Sequence, residues 1–306
     1  MLFSNHPVAG IAELKEFLPF SSNYDYERVY SLLSDAERTY IIPLLGDPLY
    51  KKIIGSVSGF VDEIHLCRKA LANITVYENF TLLNTQILRG GFARLTGDKT
   101  DSLYKYQEDD LKDIFRRNGF DQLDMIIDHF SKNIVTFPEF KESEYYTSTR
   151  GGLVPDRFVF SRYYKPVGYV VFKYLQSFLR LAEDLDLSQI IDPKELREAI
   201  LSNTLTVDQR RTLELVQPIL VNLAVAYAIE DRGVNISDAG VWLENRVSGG
   251  GTKEKNPLYG TDALALSEKY RSLAARYLCI LQKHLTGSVS VHPTIRDNQN
   301  KKTCWQ

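Results

Sequence analysis

The sequence predicts a mainly α-helical protein made of two related helical bundles from an internal duplication, each with a short extended arm. Three observations predict it. Apolar residues recur at helical spacing, as at Leu213, Val216, Leu220, Leu223 and Tyr227. Residues 66–93 align without a gap onto 215–242, an offset of 149, with identities at Leu66/Leu215, Leu71/Leu220, Asn73/Asn222, Val76/Val225, Ile87/Ile236 and Gly91/Gly240. Beyond the second helix the period changes to two, Val234 and Ile236 alternating with Asn235 and Ser237, before a turn at Gly240. Helix, arm and glycine in one shared register are the signature of a repeated unit.

The elements follow in order. Residues 11–18 form a short helix that stops at Pro19. Asn23 or Asp25 then caps a helix in which Tyr26, Val29, Tyr30, Leu33, Ala36, Glu37, Tyr40 and Ile41 share one side. Pro43 cannot donate to the Thr39 carbonyl and so kinks or ends this helix, with Gly46 as its C′ residue and Pro48 as a stop. The first copy of the repeat comes next, its arm near Ile87. A helix from Ser102 to Asn118 breaks at Gly119 and resumes over 120–132.

Residues 134–166 lose helical periodicity, contain three prolines and a Gly-Gly pair, and alternate like a strand in RFVFSRYY. They divide the chain into a first helical unit (1–133), a non-helical connecting segment (134–166) and a second helical unit (167–285). The second unit opens with Val167, Val170, Val171, Tyr174, Leu175, Phe178 and Leu181, an apolar stripe that demands burial. Asp192-Pro193 starts a short helix to about Leu201, and Thr206-x-x-Gln209 is a capping box opening the repeated helix. A last helix spans Asp262 to His284, and 286–306 form a polar, non-periodic C-terminal tail.

Composition limits function. A chain of 306 residues with 44% hydrophobic and 25% charged residues is ordinary for a globular protein, with room for two domains. A net charge of −2 argues against a protein whose main work is gripping nucleic acid. Three scattered cysteines fit no disulfide framework; Cys67 and Cys279 lie in helical apolar patterns and read as core residues. MLFSNHPVAGIAEL lacks the pattern of a secretory leader. The most apolar helix, 166–185, is interrupted by Lys173, Gln176 and Arg180, so no transmembrane helix is expected in the chain.

No catalytic constellation emerges. Asp128 and His129 are neighbours in sequence but point to different azimuths of a helix, which reads as two solvated positions. SGGGTKEK lacks phosphate-loop spacing, Glu108-Asp109-Asp110 is a charged helix face, and no residues stand at zinc-ligand spacing. The expectation is a non-enzyme with no cofactor and no metal. Its 18 tyrosines, a residue type enriched at contact surfaces, turn attention to interfaces. Tyr145, Tyr146, Phe158, Phe160, Tyr163 and Tyr164 are candidates because their segment has no helical face to bury them. Ile87 and Ile236 are candidates in the arms, and Val289, Val291 and Trp305 in the tail, where Val289-Ser290-Val291 could add to an exposed strand edge.

Two stretches carry a family resemblance. Asp35-Ala36-Glu37-Arg38-Thr39-Tyr40-Ile41-Ile42-Pro43-Leu44-Leu45-Gly46-Asp47-Pro48-Leu49-Tyr50 resembles the opening helix of structural proteins of tailed phages of Bacteroidetes, the crAss-like phages included. The repeated pieces, Ala70-Leu71-Ala72-Asn73 through Gly91 and Leu215-Val216-Gln217-Pro218 through Gly240-Val241, resemble that family's second signature. Such proteins are similar to helical head-to-tail connectors that form rings beneath the portal. The resemblance implies a virion protein of the neck, assembled in the host cytoplasm, in a homo-oligomeric ring of typically twelve copies. Its implied partners are the portal protein and other neck and tail proteins, with transient passage of DNA through the ring and no membrane. The second copy has no clear counterpart of YIIPLLGDPLY. A helical-repeat adaptor that binds a protein partner is the alternative reading.

Overall fold

A computed structural model describes residues 1–18, 26–87, 93–96, 99–102, 104–232, 236–237, 240–241, 243–245, 254–256 and 261–287. The chain divides into two compact units, Met1–Ser148 and Thr149–Gln306. Helices dominate both, and the strands form two-stranded antiparallel ribbons.

The first unit begins with α1 (Pro7–Lys15) and α2 (Tyr26–Ala36). A π-helical turn, Glu37–Ile41, follows, then α3 (Ile42–Leu45). Pro43 therefore neither ends the helix nor kinks it by itself. The ladder widens first, the Ile42 amide reaching back to the Glu37 carbonyl, and Pro43 falls in the first turn of a new helix where no amide is needed. Gly46 closes α3, and Pro48 opens α4 (Asp47–Gly55) rather than stopping a helix. The central helix α5 (Val61–Glu78) is interrupted at Asn79 and continues as α6 (Phe80–Ile87). The ribbon β1 (Ala93–Thr96)–β2 (Lys99–Ser102) leads into α7 (Lys105–Lys132).

α7 runs unbroken through Gly119. The glycine is a contact, not a break. A Cβ there would stand 2.6 Å from Ile74 Cγ1 and 3.0 Å from the Ile74 amide nitrogen, so only glycine lets α7 lie this close to α5. Glu63 faces His129, Ile74 meets Gly119 and Phe80 meets Phe115, so the two helices run antiparallel. Cys67 on α5 is fully buried, and burial pushes its thiol pKa up.

The second unit repeats this plan. A short helix α9 (Arg157–Ser161) precedes α10 (Tyr169–Ala182), which ends in a second π-helical turn, Glu183–Leu187. α11 (Pro193–Leu201) starts as expected, with the Asp192 carboxylate accepting from the Lys194 amide. The central helix α12 (Val207–Arg232) opens with the expected reciprocal bonds between Thr206 and Gln209, 3.0 and 3.2 Å. Ribbons β3 (Ile236–Ser237)–β4 (Gly240–Val241) and β5 (Leu243–Asn245)–β6 (Glu254–Asn256) lead to α13 (Thr261–Leu285). Thr212 faces His284 and Glu230 faces Ser267, so α12 and α13 are also antiparallel.

α12, not the 166–185 stretch, is long and apolar enough to cross a membrane, yet 83% of its most apolar window is buried inside the unit. Val216, Ile219, Leu220, Val221, Ala224 and Val225 have no exposed surface, and core burial accounts for the apolarity.

The arms do not share one register. Ile236 lies in β3, but its counterpart Ile87 is the last residue of α6, and the strand described after it is Ala93–Thr96. The sequence gives the reason. Gly233 follows α12 directly, whereas the first copy has Asn84 at the equivalent place and its glycines only at Gly90-Gly91, so helix continues further.

Candidate interface and strap sites

The segment 134–166 is neither structureless nor a strand. It holds a 3-10 turn (Pro138–Glu142), α8 (Glu144–Arg150) and α9. The Asp156 carboxylate caps α9 by accepting from the Val159 amide at 2.8 Å, which sets RFVFS in a helix. Most of its aromatic surface is spent inside the two units. Phe140 is fully buried, its ring 5.6 Å from Phe130 and 6.2 Å from both Tyr145 and Tyr146. Tyr145 is buried and Tyr146 half-buried. In the second unit Phe160 is fully buried against Phe172 and Tyr164, and Tyr164 packs edge-on to Tyr270 at 5.7 Å. Burial raises the Tyr164 hydroxyl pKa, with Tyr270 adding to the effect. Tyr163 is half-buried against the same core.

Of the six aromatic candidates only Phe158 stays mainly exposed, at 53%, beneath the Arg157 guanidinium 4.5 Å from its ring. Ile87 and Ile236 are placed in backbone only, as above. Val289, Val291 and Trp305 lie outside the described residues.

A different apolar surface stands out. On α10, Val171, Leu175 and Leu179 turn into the core, while Val170, Tyr174, Phe178 and Leu181, with Leu185 in the π turn, run down the flank. Tyr174 and Phe178 are half-buried with rings 5.3 Å apart; Val170, Leu181 and Leu185 are exposed, Leu185 by 51%. The signal was present in the sequence as a stripe wider than one core-facing side of a helix requires. Exposed apolar area arranged in one row is what an interface uses.

A second arrangement lies in the first unit, and one of its bonds has a counterpart in the second. In the first, side chains bond four main-chain groups of residues 2–4. The Leu2 amide donates to Glu37 Oε1 at 2.8 Å, and the Leu2 carbonyl accepts from Arg68 Nε at 2.9 Å. The Ser4 amide donates to Glu13 Oε2 at 2.8 Å, and the Ser4 carbonyl accepts from Tyr26 Oη at 2.5 Å. Arg68 also pairs with Glu13 at 2.7 Å and covers the Phe3 ring at 5.4 Å. Leu2 and Phe3 are buried. Gly10 makes room: a Cβ there would stand 2.0 Å from the Tyr26 ring.

Glu37 is 3% exposed at the head of its π turn. Burial raises its carboxyl pKa, opposed by the Leu2 amide and the Tyr50 hydroxyl. In the second unit Gln217, at the position equivalent to Arg68, donates from Nε2 to the Leu153 carbonyl at 3.1 Å. Leu153 and Val154 are buried there as Leu2 and Phe3 are in the first unit. Glu183, also 3% exposed at the head of a π turn, bonds Arg197.

Other positions recur as well. Asn73 and Asn222 each donate to the carbonyl four residues back, at 2.8 and 2.7 Å. Glu63 and Thr212, again equivalent, each bond the Nε2 of a histidine in the antiparallel partner helix: His129 of α7 at 3.0 Å and His284 of α13 at 3.2 Å. His129 is thus a partly buried clamp packed on Phe130 and Phe137, not the solvated residue its sequence neighbours suggest. Among the described residues no three His, Cys, Asp or Glu side chains converge as metal ligands would.

Comparison with known proteins fits this internal repetition. The model of a family of unknown function, DUF6712, matches residues 27–150 and again residues 180–304. No curated protein and no solved structure matches the chain.

Proposed function

The chain belongs to the family DUF6712, a family of unknown function whose unit it carries twice, and from the resemblance of its sequence we propose that it is a ring-forming head-to-tail connector of a tailed phage. In this reading the protein is structural: copies close into a ring between portal and tail and leave a central channel for DNA. The observation that carries the reading is the resemblance of residues 35–50 and of the repeated stretches to structural proteins of such phages. Those stretches are architectural in this fold. Leu44, Leu45 and Leu49 are fully buried, and the repeated stretches form the central helices α5 and α12.

Two further features support it. The exposed row on α10 gives each copy an apolar surface for a neighbour. The near-neutral charge suits a conduit, because a lining that bound phosphates tightly would retard the DNA. The test is localisation. Antibody raised against the chain should label the neck of purified virions of the encoding phage, and the protein should be a fixed component of those particles by mass spectrometry. A protein found only in the soluble lysate would refute the assignment.

A further inference from the structure

One arginine position recurs in both units, but its acidic partner stands in only one. The bonded pairs Glu63–His129 and Thr212–His284 set α5 on α12 at an offset of 149 and α7 on α13 at an offset of 155, from His129 to His284. The second offset also places Gly119 on Ala274, a fully buried small residue, and Arg116 on Arg271. In the second unit Arg271 donates from Nε and Nη2 to the two oxygens of Glu230 at 2.8 and 2.7 Å, and Ser267 Oγ donates to the same carboxylate at 2.5 Å. Two parallel bonds of this kind are the strong form of a guanidinium–carboxylate pair. In the first unit Thr81, exposed on α6, stands at the position of Glu230, and Lys112 of α7 at that of Ser267. The ring of Phe80 meets that of Phe115 at 6.4 Å, so α6 still lies along α7 at this point.

Arg116 thus keeps the cation without the facing acid. Its side chain is only 8% exposed, its Nε turns back to Asp113 on its own helix at 3.1 Å, and its Nη1 is buried with no hydrogen-bond partner. Asp113 is shared with Arg117 at 3.9 Å. Lys112 is exposed, its Nζ 5.7 Å from the centre of the Tyr77 ring. Glu78, one turn before Thr81, is bonded to Tyr40. A buried charged donor left unpaired is costly, and a guanidinium fork is matched best by a carboxylate. We propose that Lys112 and Arg116, beside Thr81, form a binding site for a carboxylate supplied from outside the chain, seated where the Glu230 carboxylate sits in the second unit. The ligand class follows from that unit, in which the same arginine position holds a carboxylate. Lys112 in place of a serine adds a second cation, which draws an anion from solution.

The test follows the Nε–Hε cross-peak of Arg116 in the ¹⁵N-arginine-labelled full chain, assigned by its loss in Arg116→Lys. Sodium acetate should move it saturably, and sodium chloride at the same ionic strength should not. Thr81→Glu, which supplies the acid from within, should abolish the acetate response. Lys112→Met should weaken acetate binding and Asp113→Asn strengthen it, each by about threefold or more. Circular dichroism checks that the helices persist in each variant. No acetate-specific saturation, or an undiminished response in Thr81→Glu, overturns the site. A blocked Ala-Glu-Ala peptide separates the sources of the carboxylate: tighter binding than acetate marks an acidic side chain of a partner, and binding no tighter marks a free small acid. Inorganic phosphate saturating at a lower concentration than both would overturn the carboxylate as the ligand class.

Discussion

Glu37 shows how a single residue joins local geometry to long-range order. It heads a π turn, is buried, and accepts the Leu2 amide. Its carboxyl pKa is raised above the ordinary 4.5, chiefly by burial, so the folded protein holds this proton more tightly than the unfolded chain. The group's contribution to stability is therefore present in full below about pH 4.5 and is lost as the pH rises through the raised folded value. Glu37→Gln is neutral throughout, so wild type should lose stability relative to this variant across that interval. Urea melts at stepped pH values check it; a difference independent of pH would contradict the account. Glu230 has the opposite sign. Its bidentate bonds to Arg271, 2.8 and 2.7 Å, lower its pKa, and its contribution is lost as the pH falls through the depressed value. Neither role was legible in the sequence, because both depend on partners 35 and 41 residues away. His129 was misread for the same reason: its partner Glu63 is 66 residues distant.

At the scale of elements, legibility followed the locality of the signal. α11 and α12 begin where Asp192-Pro193 and Thr206-x-x-Gln209 place them, since a cap is chemistry among four adjacent residues. RFVFSRYY failed because alternation over a few residues fits a short helix equally well once Asp156 caps it. Gly119 failed because its role is set by Ile74 on another helix. Gly119→Val should force α5 and α7 apart and cost about 1–3 kcal/mol in denaturant melts, the usual range for an overpacked core. Phe140→Ala, emptying a fully buried aromatic site, should cost about 3–5 kcal/mol. The α10 flank behaves otherwise. Leu181→Asp with Leu185→Asp alters exposed positions, so subunit stability should move by no more than about 0.5 kcal/mol per site while association is lost. A variant that associates as wild type does would remove this flank from the interface.

For the whole molecule, duplication is the organising fact. The gapless register of 66–93 on 215–242 was visible at once; it carries equivalent bonds at 68/217 and 73/222, and the same offset extends to 63/212 just before it. The π turns were not visible, since Glu37–Ile41 and Glu183–Leu187 repeat in geometry with little repetition of residues. The central claim is that this duplicated subunit closes into a ring, and mass photometry tests it most directly. Under the proposed function, purified protein, alone and with a portal protein encoded in the same genome, should give a discrete closed oligomer at a fixed multiple of 35.0 kDa, about twelvefold by the family resemblance. A particle that stays at 35.0 kDa in both samples, with no complex on the portal, would contradict it.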